Sequence, residues 1–365
     1  MKRILYTLTA LSLFSMGAVA QSSGGAADPH FSQFYGAPLT LNPAMTGAFD
    51  CNYRITAIYR TQWGSVLKED AVPMFSTPAI GLDFRTNKGF TPSGAFGFGL
   101  SGLSDRAGQS KFMTNRVGLS LAYHQALDRR SEHFVSVGFQ SEIWQRSISY
   151  DGLQFPLQNN NGSFDGSLPN GEYLVNNNFL SWDISAGLLY TGRFGRSGRS
   201  SGYIGAAAHH LTRPTESFLG DKSVRVPMKF TFHGGFRFKI KGRFDAQPKF
   251  IYMNQGVSHE LNIGNDFRFI FEEREPEGNN FRFGAMFRMV GGDNKAAWKD
   301  KVLNPEAVIL NAAIEFSKIT VGVAYDINVS QLVNASKTFG AFEIHAGYIG
   351  CFPRTRPQTI FCPKF

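Results

Sequence analysis

The sequence predicts an all-β protein: a transmembrane, antiparallel, up-and-down β-barrel of about fourteen strands. Three observations carry that prediction. The chain holds 35 Phe and 39 Gly at a slightly negative mean hydropathy, and beyond the first twenty residues no apolar run approaches membrane-helix length. Its hydrophobic residues recur with a period of two rather than 3.6. Short and long connections alternate along it, as in barrels with short periplasmic turns and longer external loops.

At the start, Met1-Lys2-Arg3 is a short basic segment ahead of an apolar stretch from Ile4 to Met16, and Ala18-Val19-Ala20 has the small-x-small pattern that a signal peptidase cuts. Residues 1–20 are expected to be a removed signal peptide, which leaves Gln21 first and 345 residues for the fold. The net charge of +9 falls to +7 without Lys2 and Arg3, and the remaining basic residues are scattered singly. That pattern argues against nucleic-acid binding.

Residues 21–50 do not read as strand. Pro29, Pro38 and Pro43 prevent a regular ladder, and Asn42-Pro43 favours a turn. Phe31, Phe34 and Tyr35 need somewhere to bury. Two compatible expectations follow: the segment folds into the periplasmic mouth and seals the barrel, or it docks a periplasmic partner.

Fourteen strand candidates follow in residues 51–352, near 52–63, 75–87, 94–104, 112–127, 132–147, 179–194, 200–212, 226–240, 244–254, 259–272, 280–290, 303–316, 319–329 and 341–352. Trp182, Ile184, Ala186, Leu188 and Tyr190 alternate with Asp183, Ser185, Gly187, Leu189 and Thr191. Ile319, Val321, Val323, Tyr325 and Ile327 alternate with smaller or polar neighbours in the same way. Side chains that face lipid must be apolar while those that face the lumen need not be. Several candidates suit a tilted span of about 9–11 residues better than the mean soluble strand of about 5–6.

Connections after even strands are short, at 88–93, 128–131, 195–199, 241–243, 273–279 and 317–318, whereas those after odd strands are mostly longer, above all 147–178. An even count with this asymmetry places both termini in the periplasm. The tail, 353–365, ends in Phe365, an aromatic terminus common in outer-membrane proteins, but Pro363 and two further prolines spoil a last-strand reading.

Three cysteines are present, Cys51, Cys351 and Cys362. Export permits a disulfide, and Cys351 with Cys362, which close a short loop, are the favoured pair. No spacing suggests a metal site, and no cofactor is expected. Asp83, Arg85, Arg116, Glu142, Asp183 and Asp326 fall within strands and are costly against lipid, so they should face the lumen. There they hold the interior together or line a solute path. Trp63 reads as an interfacial belt aromatic near the outer end of strand one.

Catalysis has no footing: G-x-S-x-G, P-loop, H-E-x-x-H and dinucleotide patterns are missing. His209-His210 is the single adjacent His pair, and neighbouring strand residues point to opposite faces, so a bulge would be needed to bring both to one site.

The opening motif, Asp28-Pro29-His30-Phe31-Ser32-Gln33-Phe34-Tyr35, continues through Pro38 and Leu41-Asn42-Pro43-Ala44-Met45-Thr46-Gly47 to Tyr59-Arg60-Thr61-Gln62-Trp63. In order and spacing this closely resembles the PorP/SprF family of Bacteroidetes outer-membrane proteins. Ala207-Ala208-His209-His210 with Pro214 and Ser217-Phe218, Pro227 to His233-Gly234-Gly235, Ala324-Tyr325-Asp326-Ile327 and Phe342-Glu343-Ile344-His345 extend the likeness over residues 28–350. Val323-Ala324 and Phe342 depart slightly from the family's usual YSYD and HEI forms.

The resemblance implies a non-enzymatic outer-membrane barrel of the type IX secretion and gliding-motility apparatus. It further implies partners in the periplasmic ring and its lipoproteins, and a secreted surface protein or its C-terminal sorting domain as cargo. The motif residues then bind a partner or seal the barrel. The runner-up is a passive diffusion porin in the same membrane lipid, and a soluble secreted β-protein is third.

Overall fold

The computed structural model describes residues 28–63, 74–86, 89–108, 110–149, 153–160, 163–171, 176–195, 200–272, 278–291, 303–330, 333 and 338–352. Residues 1–27, Cys362 and Phe365 lie outside them. Fourteen described strands form a closed antiparallel barrel. They are β1 (Tyr53–Gln62), β2 (Phe75–Arg85), β3 (Gly94–Ala107), β4 (Phe112–Ala126), β5 (His133–Ser147), β6 (Asn178–Phe194) and β7 (Ser200–His209). After them come β8 (Lys229–Lys241), β9 (Phe244–Gln255), β10 (Ser258–Ile270), β11 (Asn280–Gly291), β12 (Asn304–Phe316), β13 (Ile319–Asn328) and β14 (Phe339–Gly350). Each strand pairs with its neighbour in sequence, and β14 returns to β1 from Tyr53 opposite Gly350 to Gln62 opposite Ala341. Closure leaves no strand edge unpaired, which a membrane interior requires.

The strands are inside-out relative to a soluble domain. Along β4, Val117, Leu119 and Leu121 point outward, with Leu119 66% exposed, while the guanidinium-bearing Arg268 on β10 is 1% exposed. Val135, Val137, Phe139 and Ile143 on β5 continue the same outer belt. An apolar surface this continuous, wrapped around a polar interior, belongs in hydrocarbon rather than water. No helix of the described residues is long and apolar enough to cross a membrane.

The two ends of the barrel differ. Two-residue turns at 242–243 and 317–318 mark one end, here the turn end. The other, the loop end, carries the connections 148–177 and 210–228, although β9 and β10 are joined there by 256–257 alone. The longest loop contains a two-residue ladder of Asn159 and Asn160 with Phe164 and Ser163.

The disulfide differs from expectation. Cys351 is bonded to Cys51, with Cα atoms 4.7 Å apart, not to Cys362. The register explains it: Tyr53 opposes Gly350, so the residues just beyond each strand meet at the turn end. Phe352 N–H donates to the Asn52 side chain at 2.9 Å, and Asn52 N–H to Gly350 O at 3.0 Å, on either side of the bond. Barrel closure brings together cysteines 300 residues apart, which nearness in sequence cannot show. Mass spectrometry of an unreduced digest is expected to find a peptide joining Cys51 to Cys351. Cys51→Ser is expected to lower stability by about 2–4 kcal/mol, the usual range for a lost cross-link, read as a lower temperature for the gel-mobility shift on heating.

Candidate functional site in the barrel lumen

Residues 28–49 occupy the lumen. They contribute Phe31, Phe34, Leu39, Leu41, Ala44, Met45, Ala48 and Phe49 as buried apolar groups. Their prolines build a compact path rather than a fifteenth strand. Phe34–Gly36 is a 3-10 turn, Pro38–Leu41 a single α-turn and Pro43–Met45 a second 3-10 turn. Pro38 and Pro43 stand at first helical positions, where the absent N–H costs nothing. Asn42 caps the last turn by accepting from Ala44 N–H at 2.9 Å.

The segment runs the length of the barrel. Gly47 lies near β2 and β3 at the turn end, where its N–H donates to Asp83 at 2.8 Å. Arg54 donates to the same carboxylate at 2.7 Å and to Met45 O at 3.0 Å, while Arg85 donates to Phe49 O at 2.8 Å. At mid-height Asn42, fully buried, donates to Leu188 O and to His233 Nε2, each at 3.0 Å. His209 Nε2 donates to Leu41 O at 3.3 Å, and His124 Nε2 to Thr46 O at 2.8 Å. Glycines in the wall let the backbones meet. A Cβ on Gly187 would overlap Asn42 Oδ1, and one on Gly138 would overlap the Pro43–Ala44 peptide. Gly47, at φ +75°, sits against Gly97 in a conformation that favours glycine.

The loop end holds the densest polar contacts. Asp28 N–H donates to Gln255 at 2.8 Å, at the end of β9. The Asp28 carboxylate accepts from Arg116 at 2.6 Å and from His210 Nε2 at 2.7 Å, with Lys229 at 3.9 Å. His30 Nε2 meets Glu260 at 2.7 Å. Ser32 and Gln33 present successive N–H groups to the two oxygens of Glu343 at 2.7 and 2.8 Å. The Ser32 hydroxyl donates to Asp326 at 2.8 Å and accepts from Arg60 at 2.8 Å and from Arg288, which uses its full capacity. His345 Nδ1 donates to the Gln33 side chain at 2.7 Å. Phe31 packs with Ala37, Ile58, Ala79 and Leu103.

Several expectations change here. The segment fills the barrel rather than its mouth, so Asp28 and Cys351, expected on one side, lie at opposite ends. Sequence reasoning missed this because proline spacing forbids a strand without saying where the chain goes. His209 and His210 both turn inward. His210 lies beyond the last ladder residue of β7 with φ +59°, which breaks the alternation. Of the in-strand charges, Asp83, Arg85, Arg116 and Asp326 touch the segment directly, and Asp183 does so through His210. Glu142 lines a cavity of about 20 Å³ beside Asp28, Thr40, Arg116 and Lys229, room for one water molecule. Arg60 grips Ser32, Gln62 shares its inward parity, and Trp63 leaves the ladder at φ +54° to pack against Phe75 at 5.2 Å. Arg288, Glu260 and Lys229 carried no readable signal, since single charges in alternating strands look alike.

His210 is the contact most sensitive to pH. Its ring stacks on Trp144 and both nitrogens face carboxylates, Nδ1 toward Asp183 at 2.6 Å and Nε2 toward Asp28. Burial opposes its charge, but Asp28 and the hydrogen bond to Asp183 outweigh burial and the nearby Arg116, and its pKa is pushed up to about 9. Burial likewise opposes charge on Asp28, yet Arg116, His210 and Lys229 hold it well below the carboxylate range. The His210 contribution is therefore complete below its ordinary 6.5 and disappears as pH rises through about 9. The Asp28 contribution is present above its ordinary 3.8 and is lost as pH falls well below that value. Protection of the Ser32 amide from hydrogen exchange, corrected for the intrinsic rate, is expected to fall between about pH 7 and 9. His210→Gln should abolish that alkaline step.

The residues that fix the plug are those of the opening motif and of the His, Asp and Glu positions on β7, β13 and β14. The sequence profile of the type IX secretion system membrane proteins PorP/SprF matches residues 23–348, nearly the whole chain. The chain belongs to the PorP/SprF family. This PorP/SprF protein is thus an outer-membrane β-barrel of the type IX secretion system, in a family of membrane barrels rather than enzymes. No curated protein matches it in sequence. Among solved structures it is similar to the CymD monoaromatic hydrocarbon channel, at 10% identity over 90% of this chain and 95% of that one, with a TM-score of 0.44. A FadL homologue of Pseudomonas aeruginosa gives 11% identity over 89% and 99%, with a TM-score of 0.45.

Proposed function

We propose that this barrel works by recognition rather than conduction: it helps export or anchor particular surface proteins, with its loop end outside the cell and its turn end in the periplasm. The observation that carries this reading is the plug. Asp83, Arg85, Arg116 and Asp326, which could line a solute path, are instead bonded to residues 28–49, and the cavity beside Asp28 admits about one water. A passive porin needs that space open. The loop end, with its connections 148–177 and 210–228, offers a surface for a secreted protein or its sorting domain. The turn end faces the periplasmic ring and lipoprotein partners, and a role in gliding motility follows from the same assembly.

Affinity purification of the tagged protein from native membranes in mild detergent tests the reading. Recovery of ring components, or of a surface protein's C-terminal region, is the expected result. Recovery of the barrel and lipid alone, together with a high steady conductance of the purified protein in planar bilayers, would replace it with the porin.

A further inference from the structure

The plug has two parts held in different ways. Residues 34–49 are held by apolar packing among Phe34, Leu41, Ala44, Met45 and Ala48, by backbone contact with wall glycines, and by covalent continuity into β1 beside the disulfide. Hydrogen bonds between the wall and Leu41, Asn42, Met45, Thr46, Gly47 and Phe49 add to that hold. Residues 28–33 are held by polar contacts and one ring, Phe31. Their seat is built largely without them. Arg60 bonds to Glu343 at 2.5 Å and to Asp326 at 3.2 Å, Arg288 bonds to Asp326 at 2.9 Å, and Thr212 donates to Asp183 at 2.5 Å. These pairings join adjacent or next-but-one strands of the wall and do not include the segment. Glu343 reads the successive backbone N–H groups of Ser32 and Gln33, which a turn aims at one carboxylate, a contact that any peptide turning at this point can make.

We propose that the loop end of the lumen is a peptide-binding site, occupied in cis by residues 28–33 and exchangeable for a segment of a partner protein that takes the same path and turn. The chemistry of the seat specifies that segment. A carboxylate must meet Arg116, His210 and Lys229. Three residues on, an aromatic ring must fill the pocket of Ile58, Ala79 and Leu103, and the next residue must place a hydroxyl between Asp326 and the two arginines. A segment without the carboxylate would take from buried Arg116 and His210 the ion-pair partner that Asp28 supplies, so the seat selects first for a mimic of Asp28, and Phe31 and Ser32 set its register. The seat opens where the longest loops stand, and exchange would leave residues 34–49 sealing the barrel. This inference rests on the recognition reading above and names the chemistry of what is recognised.

The test uses the full-length protein in detergent and a fluorescent synthetic peptide with the sequence of residues 28–35. The variant D28A/F31A/S32A vacates the seat. It is expected to bind the peptide saturably by fluorescence anisotropy, whereas the wild type, whose own segment competes at high effective concentration, requires about a hundred-fold more. A peptide with Asp replaced by Asn and Ser by Ala should bind neither. Absent or equal binding to a folded variant and the wild type overturns the proposal. Should the variant not fold, hydrogen exchange on the wild type decides. Saturating peptide is expected to expose the Ser32 and Gln33 amides while those of 44–48 stay protected; loss of protection in both parts together, or in neither, overturns it. Peptide binding can fail while purification still recovers secretion components, so this test and that of the recognition reading fail separately.

Discussion

A chain lacking residues 28–49 is expected to conduct ions steadily in planar bilayers, while the intact protein stays closed. Fourteen strands enclose an interior wide enough for a water path once its filling is removed. Here the filling is one continuous segment, not inward side chains from the wall alone. Its removal exposes Arg54, Arg60, Arg116 and Lys229 together with Asp83, Asp326, Glu260 and Glu343. These groups re-solvate in water, so the vacated lumen fills with water rather than collapsing. The deletion also removes buried Phe31, Phe34, Leu41 and Met45, each contributing about 1.5–3 kcal/mol. The variant should therefore both conduct and unfold at a lower temperature than the parent. A variant that keeps its heat-shifted gel mobility yet shows no conductance would mean that the wall seals the barrel without the plug.

The fold was readable because a membrane barrel writes one rule along its whole length. Outward positions such as Leu119 and Ile184 must be apolar, inward ones such as Asp183 and Gly187 need not be, and a two-residue period exposes every strand. The plug was not readable, because nothing local distinguishes a proline-rich segment at the mouth from one threaded through the lumen. The family motif marked the right residues without giving their contacts. Asp28, Ser32 and Asn42 are joined to partners far away in sequence, such as Asp326 and Glu343 for Ser32. The disulfide failed for the same reason: it records closure of β14 on β1, which sequence proximity cannot represent. His210 shows the opposite limit. Strand alternation predicts an outward ring, and a single positive φ at the strand's end reverses it.

Arg60→Met should be the most damaging single substitution in the lumen. The guanidinium is nearly buried and lies between Asp326 and Glu343 while also donating to Ser32. Met keeps the length of the side chain and removes its charge, so Glu343 loses its 2.5 Å cation and Asp326 keeps only Arg288. Removing one partner of a buried pair costs about 3–5 kcal/mol because the other charge remains uncompensated. Replacing both ends is expected to cost less: Arg60→Met with Glu343→Gln removes the orphan charge and leaves an amide oxygen to accept one of the two N–H groups of Ser32 and Gln33. The measurement is the temperature of the gel-mobility shift for the wild type, each single variant and the pair. Partial recovery in the pair identifies the orphan carboxylate as the source of the loss. Additive losses instead would mean that Arg60 and Glu343 act on the plug independently, and the motif arginine would then be a contact to Ser32 alone.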